Sequence, residues 1–143
     1  MSADRRKIFL VDDDVVFLQL LKIELLQLEE YDVEIFATGE LCIAGLGSKP
    51  DVIVLDYHLD GVDSSAMNGI ATMDKIHAID SKMPVIILSS QDKIEVAIDC
   101  MHHRAHDYVV KSETAFVRLQ HILATLFQYK RMEQELNWYV ERM

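Results

Sequence analysis

The chain has 143 residues, half of them hydrophobic and 27% charged, and a formal net charge of -10 at pH 7. This length fits one domain that can bury a sizeable core without disulfides or a structural metal. The acidic balance, without a stripe of Lys and Arg, argues against binding to nucleic acid or to an anionic membrane surface.

Two further features bear on the cellular compartment of the protein. The first residues form only a short apolar run before a cluster of acids, which is typical of neither a signal peptide nor a membrane span. Cys42 and Cys100 lie far apart and form no CxxC or zinc-binding spacing. We expect both to be buried free thiols in a protein of the reducing cytoplasm.

Five short apolar runs predict strands. Three of them are nearly continuous and rich in β-branched residues, which suits strands that are covered on both faces. In chain order the five runs are residues 8–11, 33–36, 52–55, 85–88 and 108–110.

Segments with helical spacing separate these runs, at residues 15–28, 39–47, 69–80 and 92–103. Asn68 precedes the third segment and is predicted to cap it. The alternation predicts an α/β fold with a parallel sheet, helices on both faces and right-handed crossovers. In open sheets of this kind, functional groups gather beyond the carboxyl ends of the strands.

The predicted strand ends carry groups that bind metal or phosphate. Carboxylates placed close together repel one another unless a cation is bound, and Mg²⁺ prefers such oxygen ligands together with phosphate oxygens. A carboxylate can also attack phosphorus, while a lysine and a hydroxyl balance the charge of the transferred group. The groups are Asp12, Asp13 and Asp14 after the first strand, Asp56 after the third, Ser89 and Ser90 after the fourth, and Lys111 after the fifth.

Four motifs together carry a family resemblance: VDDD at 11–14, VIVLD at 52–56, PVIILSS at 84–90 and DYVVK at 107–111. In this order they resemble the response-regulator receiver family, over residues from about 7 to about 128. The resemblance implies a flavodoxin-like, doubly wound sheet of five parallel strands in the order 2-1-3-4-5. It also implies a cytoplasmic switch that catalyses only its own phosphorylation and slow dephosphorylation and is not a metabolic enzyme.

The resemblance assigns roles residue by residue. The donor of the phosphoryl group would be a sensor histidine kinase or a phosphotransfer protein, and the cofactor would be Mg²⁺. Around the metal the resemblance implies Asp12, Asp13, Asp56 and the main-chain carbonyl of His58. It further implies Asp56 as phosphoacceptor, Ser89 as switch hydroxyl, Lys111 as the conserved-type lysine and Tyr108 as the aromatic residue that follows the switch.

Several positions depart from the family pattern. Asp60 replaces a usual proline, and the loop over residues 59–68, which includes Asp63, is longer than usual. Ser112 replaces the proline after Lys111, so the peptide bond there is cis or trans, and a cis bond before a non-proline residue costs roughly 2.5–4 kcal/mol. Arg104-Ala105 stands where Gly-Ala is usual. His58 and Gln91 are expected to tune dephosphorylation.

Two other functions fit part of the pattern. A haloacid-dehalogenase-type phosphatase would use Asp12 as nucleophile and Asp14 as acid/base, but this leaves Asp56 without a role and lacks further acids for the metal after Lys111. A flavodoxin-like nucleotide or flavin binder would need a Gly-rich loop after the first strand, where this chain has acids.

The carboxyl-terminal segment predicts a helix that runs past the end of the domain. We place the domain at residues 1–128 and an extension of the last helix at 129–143. Apolar side chains recur at alternating steps of three and four, as in a coiled-coil seam, with one glutamate among them. This predicts a homodimer through the last helix or a connection to an output domain. The seam comprises Leu119, Ile122, Leu126, Tyr129, Glu133, Leu136, Val140 and Met143.

Overall fold

In a computed structural model, which describes residues 5–28, 30–61, 64–90 and 92–143, strands and helices alternate along the chain. The strands are β1 (Arg6–Val11), β2 (Tyr31–Phe36), β3 (Val52–Asp56), β4 (Val85–Ser89) and β5 (Asp107–Val110). The helices are α1 (Val15–Leu26), α2 (Gly39–Ala44), α3 (Gly69–Ile79), α4 (Ile94–His102) and α5 (Ala115–Glu141), with a 3-10 turn at Leu46–Ser48. Gln91, predicted to tune dephosphorylation, and Asp63 of the longer loop lie outside the described residues.

The five strands form one parallel sheet in the order β2-β1-β3-β4-β5, which confirms the predicted topology. Val11 pairs with Leu55, and Asp56 pairs with Leu88. Because all strands run the same way, their carboxyl ends meet at one edge of the sheet. The residues that follow β1, β3, β4 and β5 are therefore brought together there.

The sheet separates two apolar layers because successive strand side chains point to opposite faces. On one face, Leu10 and Val54 pack with α1 and α5. On the other, Phe9 and Ile53 pack with side chains of α2, α3 and α4, including the free thiols of Cys42 and Cys100. Every residue of β3 and β4 is buried, and each large apolar side chain so covered contributes roughly 1.5–3 kcal/mol.

Side-chain caps fix where the helices begin. The Asn68 carboxamide oxygen accepts a hydrogen bond from the Ala71 N–H at 2.8 Å, which confirms the predicted cap of α3. The next residue must be glycine, because a Cβ on Gly69 would lie 2.4 Å from the carbonyl oxygen of Asp56. This close approach sets the start of α3 directly against the end of β3.

The end of α4 has an arginine where the backbone favours glycine. Arg104 has φ 68, in the left-handed region. Its N–H donates to the Met101 carbonyl and the Ala105 N–H donates to the Cys100 carbonyl, which is a Schellman ending. The residue before, His103, contacts Asp74 of α3 at 2.9 Å and Asp99 at 3.7 Å, and its position in the sequence does not reveal the contact with Asp74.

The loop after β5 has its peptide bond between Lys111 and Ser112 in the trans form. The absence of a proline after Lys111 left open whether this bond is cis or trans, and it is trans. The loop therefore avoids the free-energy cost of a cis peptide bond.

Helix α5 lies on the domain only in its first half. Leu119, Leu123 and Phe127 are buried against the sheet and α1, and the Lys130 ammonium donates to the Asp51 carbonyl at 3.0 Å. Every residue of 131–143 is exposed. Among the described residues, no helix combines the length and hydropathy that crossing a membrane requires.

Replacing Arg104 by glycine should stabilise the protein by about 0.5–1 kcal/mol. The left-handed backbone strains a residue that has a side chain, and relief of this strain outweighs the conformational entropy that glycine loses on folding. Urea unfolding monitored by circular dichroism measures the difference. As a matched control, Arg118→Gly in the first turn of α5, where the backbone is right-handed helical, should destabilise by up to about 1 kcal/mol. A less stable R104G protein would contradict the argument.

Candidate phosphoryl-transfer site

The predicted site residues meet at the carboxyl edge of the sheet. Asp12 follows β1, Asp56 and Ser89 end β3 and β4, and Lys111 follows β5. The Lys111 N–H donates to the Ser89 carbonyl at 2.7 Å, so the backbone fixes these two residues side by side. Asp12, Asp56 and Ser89 are each at most 3% exposed.

One ammonium group joins two of the carboxylates. The Nζ atom of Lys111 lies 2.6 Å from Oδ2 of Asp12 and 3.3 Å from Oδ1 of Asp56. The Lys111 side chain is 18% exposed and its Nζ lies 4.7 Å above the centre of the Phe17 ring. Contacts of this kind are strong where water is scarce, so the lysine is held with its charge directed into the site.

The acidic groups are arranged as a cation would require. One carboxylate oxygen from each of Asp12, Asp13 and Asp56 lies within 4.8 Å of the others. Asp12 is fixed further, since its Oδ1 accepts a hydrogen bond from the Asp14 N–H at 2.9 Å. Three oxygens at this separation match a hard divalent cation that keeps some of its water.

Gly61 lies beside the acidic cluster. A Cβ on Gly61 would lie 3.2 Å from Oδ2 of Asp13 and 3.8 Å from the carbonyl oxygen of His58, so a side chain there would crowd the Asp13 carboxylate. The three carboxylates form a donor set of the kind that Mg²⁺ prefers. The exposed His58 imidazole lies edge-on to the Tyr57 ring at 4.8 Å.

The electrostatics of the site favour a proton or a cation on Asp56. Burial and the neighbouring charge of Asp12 raise the pKa of Asp56 to about 7, although Lys111 acts in the opposite direction. Burial lowers the pKa of Lys111, but its hydrogen bond to Asp12 and the charge of Asp56 outweigh this and raise it. The lysine therefore stays charged while Asp56 titrates near neutral pH.

The remaining predicted residues divide between the site and its surroundings. Tyr108 is half-buried on β5 and packs with the layer of α2, α3 and α4, on the opposite face of the sheet from α1 and α5. Asp14 is exposed and caps α1 by accepting from the Phe17 N–H at 3.1 Å. Phe17 was missed as a site residue because its helical spacing indicated only a core position; nothing in the sequence shows that its ring lies under Lys111.

The raised pKa of Asp56 makes stability depend on pH in the absence of divalent metal. Its folded-state pKa of about 7 lies above the ordinary value near 4, so the folded protein holds an extra proton between these values. Stability should therefore fall as the pH rises through this window. Asp56→Asn should be more stable than wild type by on the order of 2 kcal/mol at pH 8 and nearly equal at pH 4.5.

Urea unfolding with a chelator across this pH range measures the effect. Asp32→Asn, at an exposed carboxylate on β2 that is paired with Arg5, is the control and should keep the slope of the wild type. Equal pH slopes for wild type and D56N would show that Asp56 does not titrate in this window.

Comparison with known proteins agrees with this geometry. Residues 8–124 match the response regulator receiver domain family. Over 131 residues the chain is 32% identical to the transcriptional regulatory protein ZraR of Salmonella typhimurium. The aligned region covers 92% of this chain and 28% of that relative. The chain thus spans 28% of the length of that curated relative.

Two solved structures show the same fold. The signal receiver domain of a protein assigned as the Luxo repressor of Vibrio parahaemolyticus has a TM-score of 0.79 at 26% identity, over 92% of this chain and 97% of that one. A CheY-like receiver domain protein from Methanospirillum hungatei has a TM-score of 0.74 at 24% identity, over 90% and 98% of the two chains. The match of sequence, strand order and acidic cluster leads to one conclusion: the chain belongs to the response regulator receiver domain family and is a receiver domain of the two-component type.

Proposed function

We propose that Asp56 is the phosphoacceptor and that Mg²⁺ assists the transfer, with Asp12, Asp13, Asp56 itself and the His58 carbonyl as its protein ligands. The observation that carries this proposal is the buried carboxylate of Asp56, with a lysine ammonium 3.3 Å away and two further carboxylates within 4.8 Å. The donor would be a phosphohistidine of a sensor kinase or phosphotransfer protein.

The chemistry follows from these contacts. An oxygen of Asp56 attacks phosphorus, the bond between phosphorus and the donor nitrogen breaks, and the electron pair returns to the imidazole, which takes up a proton. Mg²⁺, when bound, would neutralise charge on the phosphoryl oxygens and on the acidic cluster. Lys111 would pair with another of these oxygens, and the Ser89 hydroxyl would donate to one more.

Two properties of this chain suit that role. Asp56 must be ionised to attack, and a cation in the cluster would lower its raised pKa for this purpose. Lys111 is already positioned by Asp12 and Phe17, so little reorganisation accompanies the transfer. Attack by water on the acyl phosphate would reverse the modification slowly, so we propose a switch that catalyses only its own phosphorylation and dephosphorylation.

The output would be a change of surface. The phosphoryl group would draw Ser89 toward it, and because Ser89 and Lys111 are joined through the backbone, the loops after β4 and β5 would move together. Tyr108 would turn inward, which would change the surface of α4, β5 and α5. We further propose a cytoplasmic protein whose described residues do not contact nucleic acid and whose last helix pairs with a second copy.

Incubation with acetyl phosphate and Mg²⁺, followed by intact mass measurement, tests the phosphoacceptor. Wild type should gain the mass of one phosphoryl group, whereas Asp56→Asn should gain none. Asp13→Asn should slow labelling at least about tenfold at limiting Mg²⁺, because it removes one metal ligand.

The matched control is Asp14→Asn. Asparagine caps a helix as well as aspartate does, and Asp14 has this capping contact in the structure. D14N should be labelled at the wild-type rate. Labelling of D56N with loss of labelling in D14N would instead support the phosphatase chemistry centred on Asp12 and would refute our proposal.

The surface of α1 supports a protein donor. Val16, Leu20 and Ile23 lie on the side of α1 opposite its buried residues and are 70%, 60% and 53% exposed. Beside them a cavity of about 150 Å³ is lined mostly by apolar residues of α1 and the start of α5, including Phe17 and Phe116, with Glu24, Ser112 and Glu113 as its polar lining. Because Phe17 also supports Lys111, this apolar surface adjoins the phosphoacceptor and suits an apolar helix that carries the donor histidine.

Leu20→Glu should therefore separate two reactions. Labelling by acetyl phosphate, which needs no docking, should stay at the wild-type rate, while transfer from a phosphorylated histidine kinase should fall at least about tenfold. Gln19→Glu, which adds the same charge at a neighbouring exposed position, serves as the control and should lose little. Equal transfer to L20E and wild type would exclude docking on this face.

A further inference from the structure

The carboxyl end of α4 is joined to α3 by an imidazole ring that lies between two carboxylates. Nδ1 of His103 lies 2.9 and 3.1 Å from the two carboxylate oxygens of Asp74 on α3. Nε2 of the same ring lies 3.7 Å from Oδ1 of Asp99, one helical turn earlier on α4. We call these three side chains the α3–α4 clamp. They take no part in the acidic cluster around Asp56.

The chemistry of imidazole makes this contact depend on protonation. A neutral ring has one N–H and one bare nitrogen, so in either tautomer one nitrogen turns a lone pair toward a carboxylate. Only the imidazolium ion can donate to both acids. The hydrogen bond to Asp74, together with the charges of Asp74 and Asp99, outweighs the effect of burial and raises the pKa of His103. The charged groups that face the ring thus come from both helices, and both favour its protonated form.

The backbone holds His103 where its charge acts on both helices. It is the C-cap of α4, and its N–H donates to the carbonyls of Asp99 and Cys100, each at 3.2 Å. A positive charge at this end of a helix is also favoured by the helix dipole. Because the left-handed Arg104 ends the helix directly afterwards, the position of the ring is set by the Schellman ending.

Helix α4 itself is packed loosely on the sheet. Of its nine residues, all of which the structure describes, only Cys100 is buried. Ile94, Ile98 and Met101 are 69%, 48% and 49% exposed. A helix with so few buried contacts moves more easily than the buried strands beside it. A charged contact at its end therefore has a large share in fixing its position.

We propose that the α3–α4 clamp is a pH-sensitive restraint on the switch. With His103 protonated, the clamp ties α4 to α3 and holds α4 in the position that the structure shows. With His103 neutral, the charge attraction to both acids is lost and α4 is released. The inference rests on the proposed function, in which phosphorylation changes the surface of α4. Because α4 follows the loop after Ser89, a displacement of that loop pulls on the clamp.

Linkage makes the effect reciprocal. Since protonation of His103 favours the unphosphorylated position of α4, phosphorylation must lower the affinity of His103 for its proton by the same factor. Acidic conditions therefore oppose the switch, and mildly alkaline conditions favour it. The side chains of the clamp are between 36% and 51% exposed, so water screens their charges. The expected coupling is that of a surface ion pair, about two- to fivefold in the equilibrium constant.

Proton NMR of the His103 ring, from about pH 5 to about pH 9, tests the clamp in the unphosphorylated protein. The signal is assigned by its absence from His103→Gln. Asp74→Asn should lower the titration midpoint of His103 by at least about 0.5, and Asp99→Asn should lower it by less. Asp80→Asn removes the same charge from an exposed position just after α3, and should leave the midpoint within about 0.2 of wild type.

The same titration with Mg²⁺ and beryllofluoride, a stable mimic of an acyl phosphate, tests the coupling to the switch. Saturation should lower the titration midpoint of His103 in wild type by about 0.3–0.7, which corresponds to the two- to fivefold coupling. Asp56→Asn lacks the carboxylate that the mimic needs, so its His103 midpoint should stay unchanged. Mg²⁺ alone is the second control and should also leave it unchanged.

The outcomes separate this inference from the proposed function. A His103 midpoint that D74N leaves unchanged, or that D80N lowers equally, overturns the clamp. A midpoint that D74N lowers but that saturation with beryllofluoride does not move overturns the restraint on the switch. Labelling of Asp56 by acetyl phosphate is read separately by mass. If wild type is labelled and the His103 midpoint stays fixed, only the inference fails; if wild type is not labelled, the proposed function fails and the restraint fails with it.

Discussion

The ammonium group of Lys111 lies between two buried carboxylates, and the arrangement of the site depends on it. Asp12 and Asp56 are almost without access to water, and their charges repel each other. Without an opposite charge the domain would hold two unpaired carboxylates at large cost. Lys111 offsets part of that cost, and a divalent cation can balance the negative charge that remains. The same uncompensated negative charge raises the pKa of Asp56 and makes the cluster a site for metal and phosphate.

The parallel sheet makes this arrangement achievable. Four residues distant in sequence are brought to one edge because their strands run in one direction with a fixed register. The buried, unbroken apolar strands hold that edge rigid, and the close approach of Gly69 to the end of β3 fixes the loop beside Asp56. Rigid placement of charged groups before reaction is what makes electrostatic assistance to phosphoryl transfer effective.

Two exposed apolar surfaces extend from this rigid unit, and both lie on helices that are only partly buried. The outer face of α1 begins directly after the acidic cluster, which suits a partner that delivers a phosphoryl group. The exposed apolar residues Tyr129, Met132, Leu136, Tyr139, Val140 and Met143 lie at the other end of α5. A single chain thus presents one apolar surface near its chemistry and another far from it. The two surfaces can serve different partners because neither shares a residue with the other.

The sequence by itself determined the alternation of strands and helices, the cap that begins α3 and the identity of the charged residues at the strand ends. These depend on apolar periodicity, local capping and short motifs, whereas the strand order was implied by the family resemblance. Only the tertiary structure decided that Phe17 supports Lys111, that Arg104 has a left-handed backbone and that His103 meets Asp74. It also decided which face of α5 packs on the domain. The residue pattern allows more than one apolar face, and contacts with residues distant in sequence select one of them.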